Sequence, residues 1–345
     1  MVVREYDGRR LVSLGPHRGY VERAYIRDRF GREYRMRTYY WGGRPYAVVY
    51  RTYYWGGRPY YWYVPAYYYR PVYYGWVYNP WAVPVYYRWG WFGDPWYAAY
   101  GYYFTPYAVY PSASLWLTDF ILAEDLRLAY AAQQDALAAD TQPAPPAPGT
   151  AQLSPEAKQL IAEQVRQQLA AERDAAAAPP PAGAPEASNL APPALDPKQR
   201  VFIVASNLNV STDDGQECAL TPGDIILRTG DTLVDATRVG VSVQSSKKGD
   251  CPTGANVQVD VADLQEMHNR FREQIDTGLK QLADNQGKNG LPAAPDTSTS
   301  AAADVPTPQP DQDAQTQLQD LQNEADKADA DVDQAPAPGP TGGSK

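Results

Sequence analysis

The sequence predicts a multi-region protein. An N-terminal antiparallel β-meander rich in Tyr and Trp ends in a helix and is followed by a linker helix. A small C-terminal α+β domain (a sheet or barrel with one long helix) and a disordered acidic tail complete the expectation. Three observations carry it. The segment Arg-Thr-Tyr-Tyr-Trp-Gly-Gly-Arg-Pro-Tyr occupies 37–46 and returns at 51–60. All nine Trp and 24 of the 28 Tyr fall between Tyr34 and Trp116. Pro/Ala tracts at 141–153 and 178–197 interrupt the pattern, and such composition cannot build a core.

The meander follows from its turns. Gly42-Gly43 and Gly56-Gly57 each lie between Thr/Tyr/Trp/Val runs and read as two-residue hairpin turns. Asp7-Gly8 is a third turn and Gly31 marks a fourth, which sets strands near 20–29, 33–41, 44–55 and 58–64. Register then places Trp41 opposite Arg44 and Tyr39 opposite Tyr46. In the second copy Trp55 faces Arg58, Tyr53 faces Tyr60 and Arg51 faces Trp62. Ring pairs and guanidinium-on-ring contacts across strands contribute up to about 1 kcal/mol each. Trp41, Arg44, Trp55, Arg58 and Trp62 are therefore the candidate ligand-stacking residues. Neither face is cleanly apolar, so the sheet needs a cover or a partner.

From Pro65 to Pro111 seven prolines punctuate further aromatics, and extended, irregular chain wrapping the sheet is the expectation. Ser114 reads as the N-cap of a helix over 115–139, with Leu115, Phe120, Leu122, Leu126 and Tyr130 for packing. Within the linker of 141–198, Ser154-Pro155-Glu156 opens a second helix over about 155–177: cap, first-turn proline, early acid. Its thin stripe of Leu160, Ile161, Val165 and Leu169 suits a solvated spacer better than a pairing helix. In the domain over 199–291, short β segments at 201–204, 209–211, 224–228, 239–244 and 257–261 precede the clearest amphipathic helix of the chain. Leu264, Met267, Phe271, Ile275, Leu279 and Leu282 recur on it at helical spacing. Cys218 and Cys251, the two cysteines, stand 33 apart without metal-ligand spacing. One disulfide is the expectation, with two buried thiols as the alternative, and a loop of that length adds about 3–4 kcal/mol in the chain-entropy account. From Pro292 the chain is acidic and Ala/Pro/Gln-rich, the composition of a disordered tail.

Charge is asymmetric. Residues 1–119 hold 15 Arg and no Lys against seven acids, while the whole chain is at −9. A basic front and an acidic rear point to an anionic partner for the front, or to contact between the two parts. For the tail, ordinary solvation is the expectation. No apolar run of signal-peptide length follows Met1, and nothing approaches the 18 apolar residues of a membrane helix. Two origins stay open: a cytoplasmic chain, or a start further upstream.

Catalytic constellations are thin. His17 lies in a Gly/Pro loop, and His268 falls beside the apolar stripe of its helix, as a surface or boundary residue. Glu124-Asp125 and Asp213-Asp214 read as solvated acids. No phosphate-binding, dinucleotide-binding or nucleophile-elbow motif is present. No enzyme, catalytic residue, cofactor or metal is expected. Two partner classes fit the aromatic region: a wall polysaccharide stacked on Trp and Tyr, or single-stranded nucleic acid on rings and Arg. The Arg supply stops early, since only Arg70 and Arg88 follow Arg58 before residue 120, which weighs against nucleic acid. Packing of most rings on each other is the strongest single expectation.

Leu220-Thr-Pro-Gly-Asp-Ile-Ile-Leu227 resembles the Gly-Asp turn and strand of a PDZ domain over about fifteen residues, but after Val234 a β-like run stands where that family has a helix. A broader resemblance rests on Tyr73-Tyr-Gly-Trp-Val-Tyr-Asn-Pro-Trp81, Trp89-Gly-Trp, Pro95-Trp-Tyr and Tyr110-Pro-Ser-Ala-Ser-Leu-Trp-Leu-Thr-Asp-Phe120. It extends to Ser154-Pro-Glu-Ala-Lys, Gly223-Asp-Ile-Ile and Asp263-Leu-Gln-Glu-Met-His-Asn269. In these runs the chain resembles a group of uncharacterised Tyr/Trp/Gly/Pro-rich bacterial secreted or cell-envelope proteins. That resemblance implies a periplasmic, cell-surface or secreted location. A cell-wall polysaccharide or an envelope protein is the expected partner of the aromatic region. It carries no activity and no site residues. A non-enzymatic structural or interaction protein is the functional expectation, with carbohydrate or peptidoglycan binding as the alternative and nucleic-acid binding behind it.

Overall fold

Glycine turns lay out the first sheet. The computed structural model describes residues 2–15, 18–41, 44–138, 152–177, 190–302 and 305–333. Strands β1 (Val2–Tyr6), β2 (Arg9–Gly15), β3 (Arg18–Arg27), β4 (Glu33–Trp41), β5 (Arg44–Trp55) and β6 (Arg58–Val64) lie side by side in chain order. Asp7-Gly8 and Gly56-Gly57 have positive φ at both positions, 49° and 71° in one and 57° and 76° in the other. That conformation matches the twist of flanking strands and is the hairpin geometry the Gly pairs predict. At the β3–β4 turn Gly31 has φ 81°, and the Asp28 carboxylate accepts the amides of Phe30 and Arg32 at 2.9 Å each. The Gly42-Gly43 turn, the side chains of Trp41 and Arg44, His17 and most of both Pro/Ala linkers lie outside the described residues.

Beyond β6 the chain adds β7 (Tyr67–Tyr69), α1 (Pro71–Tyr78), α2 (Pro95–Tyr100), α3 (Ala113–Ala138) and α4 (Pro155–Ala177). Six short strands follow: β8 (Val201–Ile203), β9 (Leu208–Ser211), β10 (Glu217–Leu220), β11 (Ile225–Arg228), β12 (Arg238–Ser245) and β13 (Asn256–Asp260). Then come α5 (Val261–Asn285), β14 (Thr299–Ala301) and α6 (Ala314–Asp333). Strands β13-β12-β11-β8 form a four-stranded sheet and β9 pairs with β10 separately. The C-terminal region is thus α+β, but with a four-plus-two division instead of one five-stranded sheet. The chain passes from β11 to β12 without a helix, so the departure from a PDZ pattern holds in the structure.

Contacts divide the chain into two units. One comprises Arg27–Arg32 and Tyr50–Val305. Its larger buried cluster runs from Tyr69 to Leu291 and contains most rings of the Pro-punctuated stretch. Pro71 and Pro95 open helices, being tolerated in a first turn where the missing N–H has no partner to lose. Trp91, Trp89, Trp116 and Phe120 form a continuous stack, with centroid spacings of 3.8, 4.8 and 5.5 Å. The expected wrapping of the first sheet is therefore corrected: these rings pack on α3, α4 and α5. Gly278 of α5 marks the closest crossing, because a Cβ there would stand 2.4 Å from Leu117 and 3.0 Å from Phe120. Helix α3 begins two residues earlier than expected, with Ser114 inside its first turn.

Helix α4 starts as its sequence predicts, Ser154 Oγ accepting the amide of Ala157 at 3.0 Å. Its role does not follow the spacer expectation. Ala157, Ile161, Val165 and Leu169 are all buried in the large cluster. A four-residue apolar stripe suffices when the facing surface is supplied by aromatics from elsewhere in the chain. The second cluster sits between the β sheet and the first half of α5, where Val261, Leu264 and Met267 meet Phe202, Ile226, Val241 and Val257. Phe271, Ile275, Leu279 and Leu282 continue the same stripe into the large cluster. The disulfide Cys218–Cys251 pins β10 to the loop after β12.

The other unit comprises Met1–Ile26, Glu33–Val49 and Pro306–Lys345. Here α6 lays Ala314, Leu318 and Leu321 on Leu11, Val21 and Tyr40. Arg4 pairs with Glu324, and Asp311 lies 3.8 Å from Arg9 and 3.7 Å from Arg23. Part of the acidic rear thus meets the basic front, and 292–333 carries β14 and α6 where disorder was expected. Residues 334–345 lie outside the described residues. Beneath, buried Glu22 is held by Arg35 at 2.7 Å and Arg37 at 2.8 Å, which keeps its carboxyl below the ordinary range despite burial.

Candidate functional site

Alternation along β5 and β6 puts Tyr53, Trp55, Tyr60 and Trp62 on one face of the hairpin. Their rings meet diagonally: Tyr53 with Trp62 at 5.0 Å, and Trp55 with Tyr60 at 5.9 Å. These contacts run along the diagonals of the register that the turn predicts, because strand twist brings one diagonal closer. The Arg51 guanidinium stands 4.6 Å from the centre of the Tyr53 ring. Tyr39 does stack on Tyr46, at 5.1 Å. Trp55 and Trp62 are half-buried and Arg58 is exposed.

These rings form one wall of a narrow cleft of about 10 Å³, room for about one water. The opposite wall is the segment Leu190-Ala191-Pro192-Pro193, with Gln265 at the base. Pro192 has φ −53° and ψ 143°, an extended polyproline-like conformation. Leu190 is 51% exposed at the rim, while Ala194 is fully buried.

One hydrogen-bonded chain fixes both walls. Gln265 Oε1 accepts the amide of Ala194 at 3.2 Å, and Gln265 Nε2 donates to Asn269 Oδ1 at 3.0 Å. Asn269 then treats β6 as a neighbouring strand would: Oδ1 accepts the amide of Tyr63 at 3.0 Å and Nδ2 donates to the carbonyl of Tyr61 at 2.8 Å. Strand β6 is the edge of its sheet, and an edge with free N–H and C=O groups invites unwanted pairing. Here a side-chain amide closes it. Arg272 Nη1 adds a bond to the Tyr63 carbonyl at 2.9 Å.

A buried polar cluster continues down α5. Tyr63 Oη donates to Asp276 Oδ2 at 2.6 Å, and Tyr50 Oη donates to Glu273. Burial, reinforced by Glu172, pushes the Asp276 carboxyl up to about 8. Burial also raises Glu172, against the pull of Arg272. These groups are locked in packing.

The acids singled out in the sequence divide. Asp213 and Asp214 are exposed in a turn as expected. Asp125 is buried, bonded to Gln274 Nε2 at 2.6 Å, with its pKa pushed up to about 7 by burial. Its solvated assignment is corrected, because α5 covers that face of α3. His268 is likewise buried, not a surface or boundary residue. Burial, with Arg272 adding to it, lowers its pKa to about 3, and its Nδ1 has no hydrogen-bond partner. Among the described residues no cluster of His, Cys, Asp and Glu is arranged to hold a metal, and no helix is long and apolar enough to cross a membrane.

Several of the runs quoted from the sequence lie at buried joints. Asp119 accepts from Tyr110 Oη at 2.6 Å and pairs with Lys158 Nζ at 2.6 Å, joining the start of α3 to the start of α4. Tyr103 Oη donates to the Gly223 carbonyl at 3.2 Å, and Asp224 pairs with Lys247 at 2.5 Å. Asn269 is the joint already described. Pro192 and Gln265 were missed by sequence reasoning; no pattern distinguishes this Pro-Pro from those in the linkers. No protein-family model, curated protein or solved structure matches this chain.

Proposed function

We propose that the protein is a non-enzymatic interaction protein of an extracytoplasmic compartment, with the aromatic face of the β5–β6 hairpin as its contact surface. One contrast carries this reading. Rings between Tyr69 and Phe120 are largely consumed in a buried cluster, whereas Trp55 and Trp62 of the hairpin stay partly exposed on a face held in place by α5. Half-buried Trp and Tyr on a preformed face are the residues that dominate binding energy, because little side-chain entropy is lost on contact. The Cys218–Cys251 disulfide supports an oxidising location. Stacking of a sugar ring on Trp55 or Trp62 is the alternative use of the same surface.

The test is retention of the full chain on purified wall polysaccharide, on an immobilised proline-rich peptide and on single-stranded DNA, each at two salt concentrations. Trp62→Ala should lower retention on the true partner with little salt effect, while Tyr86→Ala, at a residue 79% exposed elsewhere, should not. Binding to DNA alone, with a steep salt slope and no response to Trp62→Ala, would remove the proposal.

A further inference from the structure

We propose that Lys158 and Asp119 condense to an isopeptide bond, a covalent tie between the starts of α3 and α4. Their geometry sets them apart from the chain's other buried lysine–aspartate pair. Lys158 Nζ lies 2.6 Å from Asp119 Oδ1, yet among the described residues Oδ1 has no hydrogen-bond partner. The nitrogen therefore approaches the carboxyl group off the direction a hydrogen bond requires. Lys247 and Asp224 meet as an ordinary ion pair instead, Nζ donating to Oδ1 at 2.5 Å with the Lys247 amide on the same oxygen at 3.1 Å.

The surroundings supply what amide formation needs. Asp119 is fully buried and Lys158 nearly so, with the Tyr107 and Phe104 ring centres 3.6 and 5.2 Å from Nζ. The Thr105 carbonyl accepts from Nζ at 2.8 Å and fixes its position. Burial favours the uncharged form of each group, raising the Asp119 carboxyl and lowering the Lys158 ammonium. Passing one proton from nitrogen to Oδ1 turns the ion pair into a neutral amine beside a neutral acid, the pair that can react. The fold holds both partners together, so no encounter has to be paid for in entropy.

The second carboxyl oxygen is prepared for negative charge. Oδ2 accepts from Tyr110 Oη and from the Tyr107 amide at 2.6 Å each, and Trp89 Nε1 donates to Tyr110 Oη at 2.7 Å. These donors stabilise the oxyanion formed as Nζ adds to Cγ, as an oxyanion hole does in acyl transfer. The Nζ–Cγ bond forms and the Cγ–Oδ1 bond breaks. Oδ1 leaves as water, carrying two of the three ammonium hydrogens, and Oδ2 stays as the amide oxygen. Nothing is oxidised or reduced. The product closes the loop from 119 to 158 and, unlike the Cys218–Cys251 disulfide, survives reduction.

Mass spectrometry of the reduced, denatured full chain tests this. The wild type should be lighter than its sequence by one water, whereas Lys158→Arg and Asp119→Ala should each have the mass of their own sequence. Trypsin should release residues 89–127 joined to 128–166, uncut at Lys158. Two N termini, Trp89 and Leu128, distinguish this product from a linear uncut peptide, and fragmentation should place the link on Asp119 and Lys158. Because that product is read on the wild type, a variant that fails to fold leaves the test intact. A wild type at full sequence mass overturns the proposal. So does a lost water that persists in Lys158→Arg, or a link that maps to other residues.

Discussion

Replacing Asn269 with Ala removes the side chain that stands in for a seventh strand. The variant deprives the Tyr63 amide of its acceptor at 3.0 Å and the Tyr61 carbonyl of its donor at 2.8 Å, and leaves Gln265 Nε2 without its partner at 3.0 Å. A buried polar group left unpaired costs about 1–3 kcal/mol. The Tyr63 amide lies at a buried residue and takes a full penalty, whereas half-buried Tyr61 regains water at its carbonyl and costs less. The sum is about 3 kcal/mol of global stability. Because the same bonds hold β6 against α5, the loss should be local as well: amide exchange at Tyr63 should accelerate more than at the β12–β13 pair. Urea unfolding followed by Trp fluorescence, with amide exchange on the same variant, reads both effects. A loss under about 0.5 kcal/mol, with Tyr63 as protected as before, would refute the edge-closing role.

Three further outcomes follow from the same packing. With the Asp276 carboxyl raised to about 8, the folded chain keeps a proton that the unfolded chain has released above about pH 4. Stability contributed by that group therefore falls as pH rises, by about 1.4 kcal/mol per unit. Between roughly pH 5 and 7 the wild type should lose about 2–3 kcal/mol more than Asp276→Asn, and parallel curves would contradict this. Gly278→Ala should destabilise by about 1–3 kcal/mol through the clash with Leu117 and Phe120, although Ala is the better helix former; a stabilised variant in thermal melts would show that α3 and α5 do not cross there. Cys218→Ser with Cys251→Ser should cost about 3–4 kcal/mol, in proportion to the loop closed, and maleimide should label no thiol in unreduced, denatured wild type.

Local signals in the sequence carried the elements well. Gly-Gly and Asp-Gly pairs marked hairpins because only residues that tolerate positive φ form those turns, and Ser154-Pro155-Glu156 marked a helix start by satisfying its orphan amides. The α5 stripe was equally plain. Assembly was not legible, since it depends on partners distant in sequence. Ile161, Val165 and Leu169 look too few to bury until Tyr and Trp from before α3 supply the facing surface. Asp125 read as solvated and His268 as a surface or boundary residue because what covers them is distant in sequence: Gln274 of α5 for Asp125, and Ile161 and Gln164 of α4 with Val201 of β8 for His268. Leu318 and Leu321 stand in a stretch with the composition of a disordered tail, and only Leu11, Val21 and Tyr40 give them a place to pack. In the candidate site, Trp55, Arg58 and Trp62 were named from the repeat, but the Pro192 wall and the Gln265–Asn269 support were not. A hydrogen bond from a helix side chain to a strand edge leaves no periodicity in sequence.

The division of rings into a buried cluster and a contact face is tested most directly by labelling the nine tryptophans with 5-fluorotryptophan, assigning each resonance by single replacement, and adding a soluble paramagnetic gadolinium chelate. The account predicts strong broadening for Trp55 and Trp62 and little for Trp89, Trp91, Trp96 and Trp116, each at 5% exposure or less. Broadening of the Trp89–Trp91–Trp116 stack, with Trp55 and Trp62 protected, would contradict it.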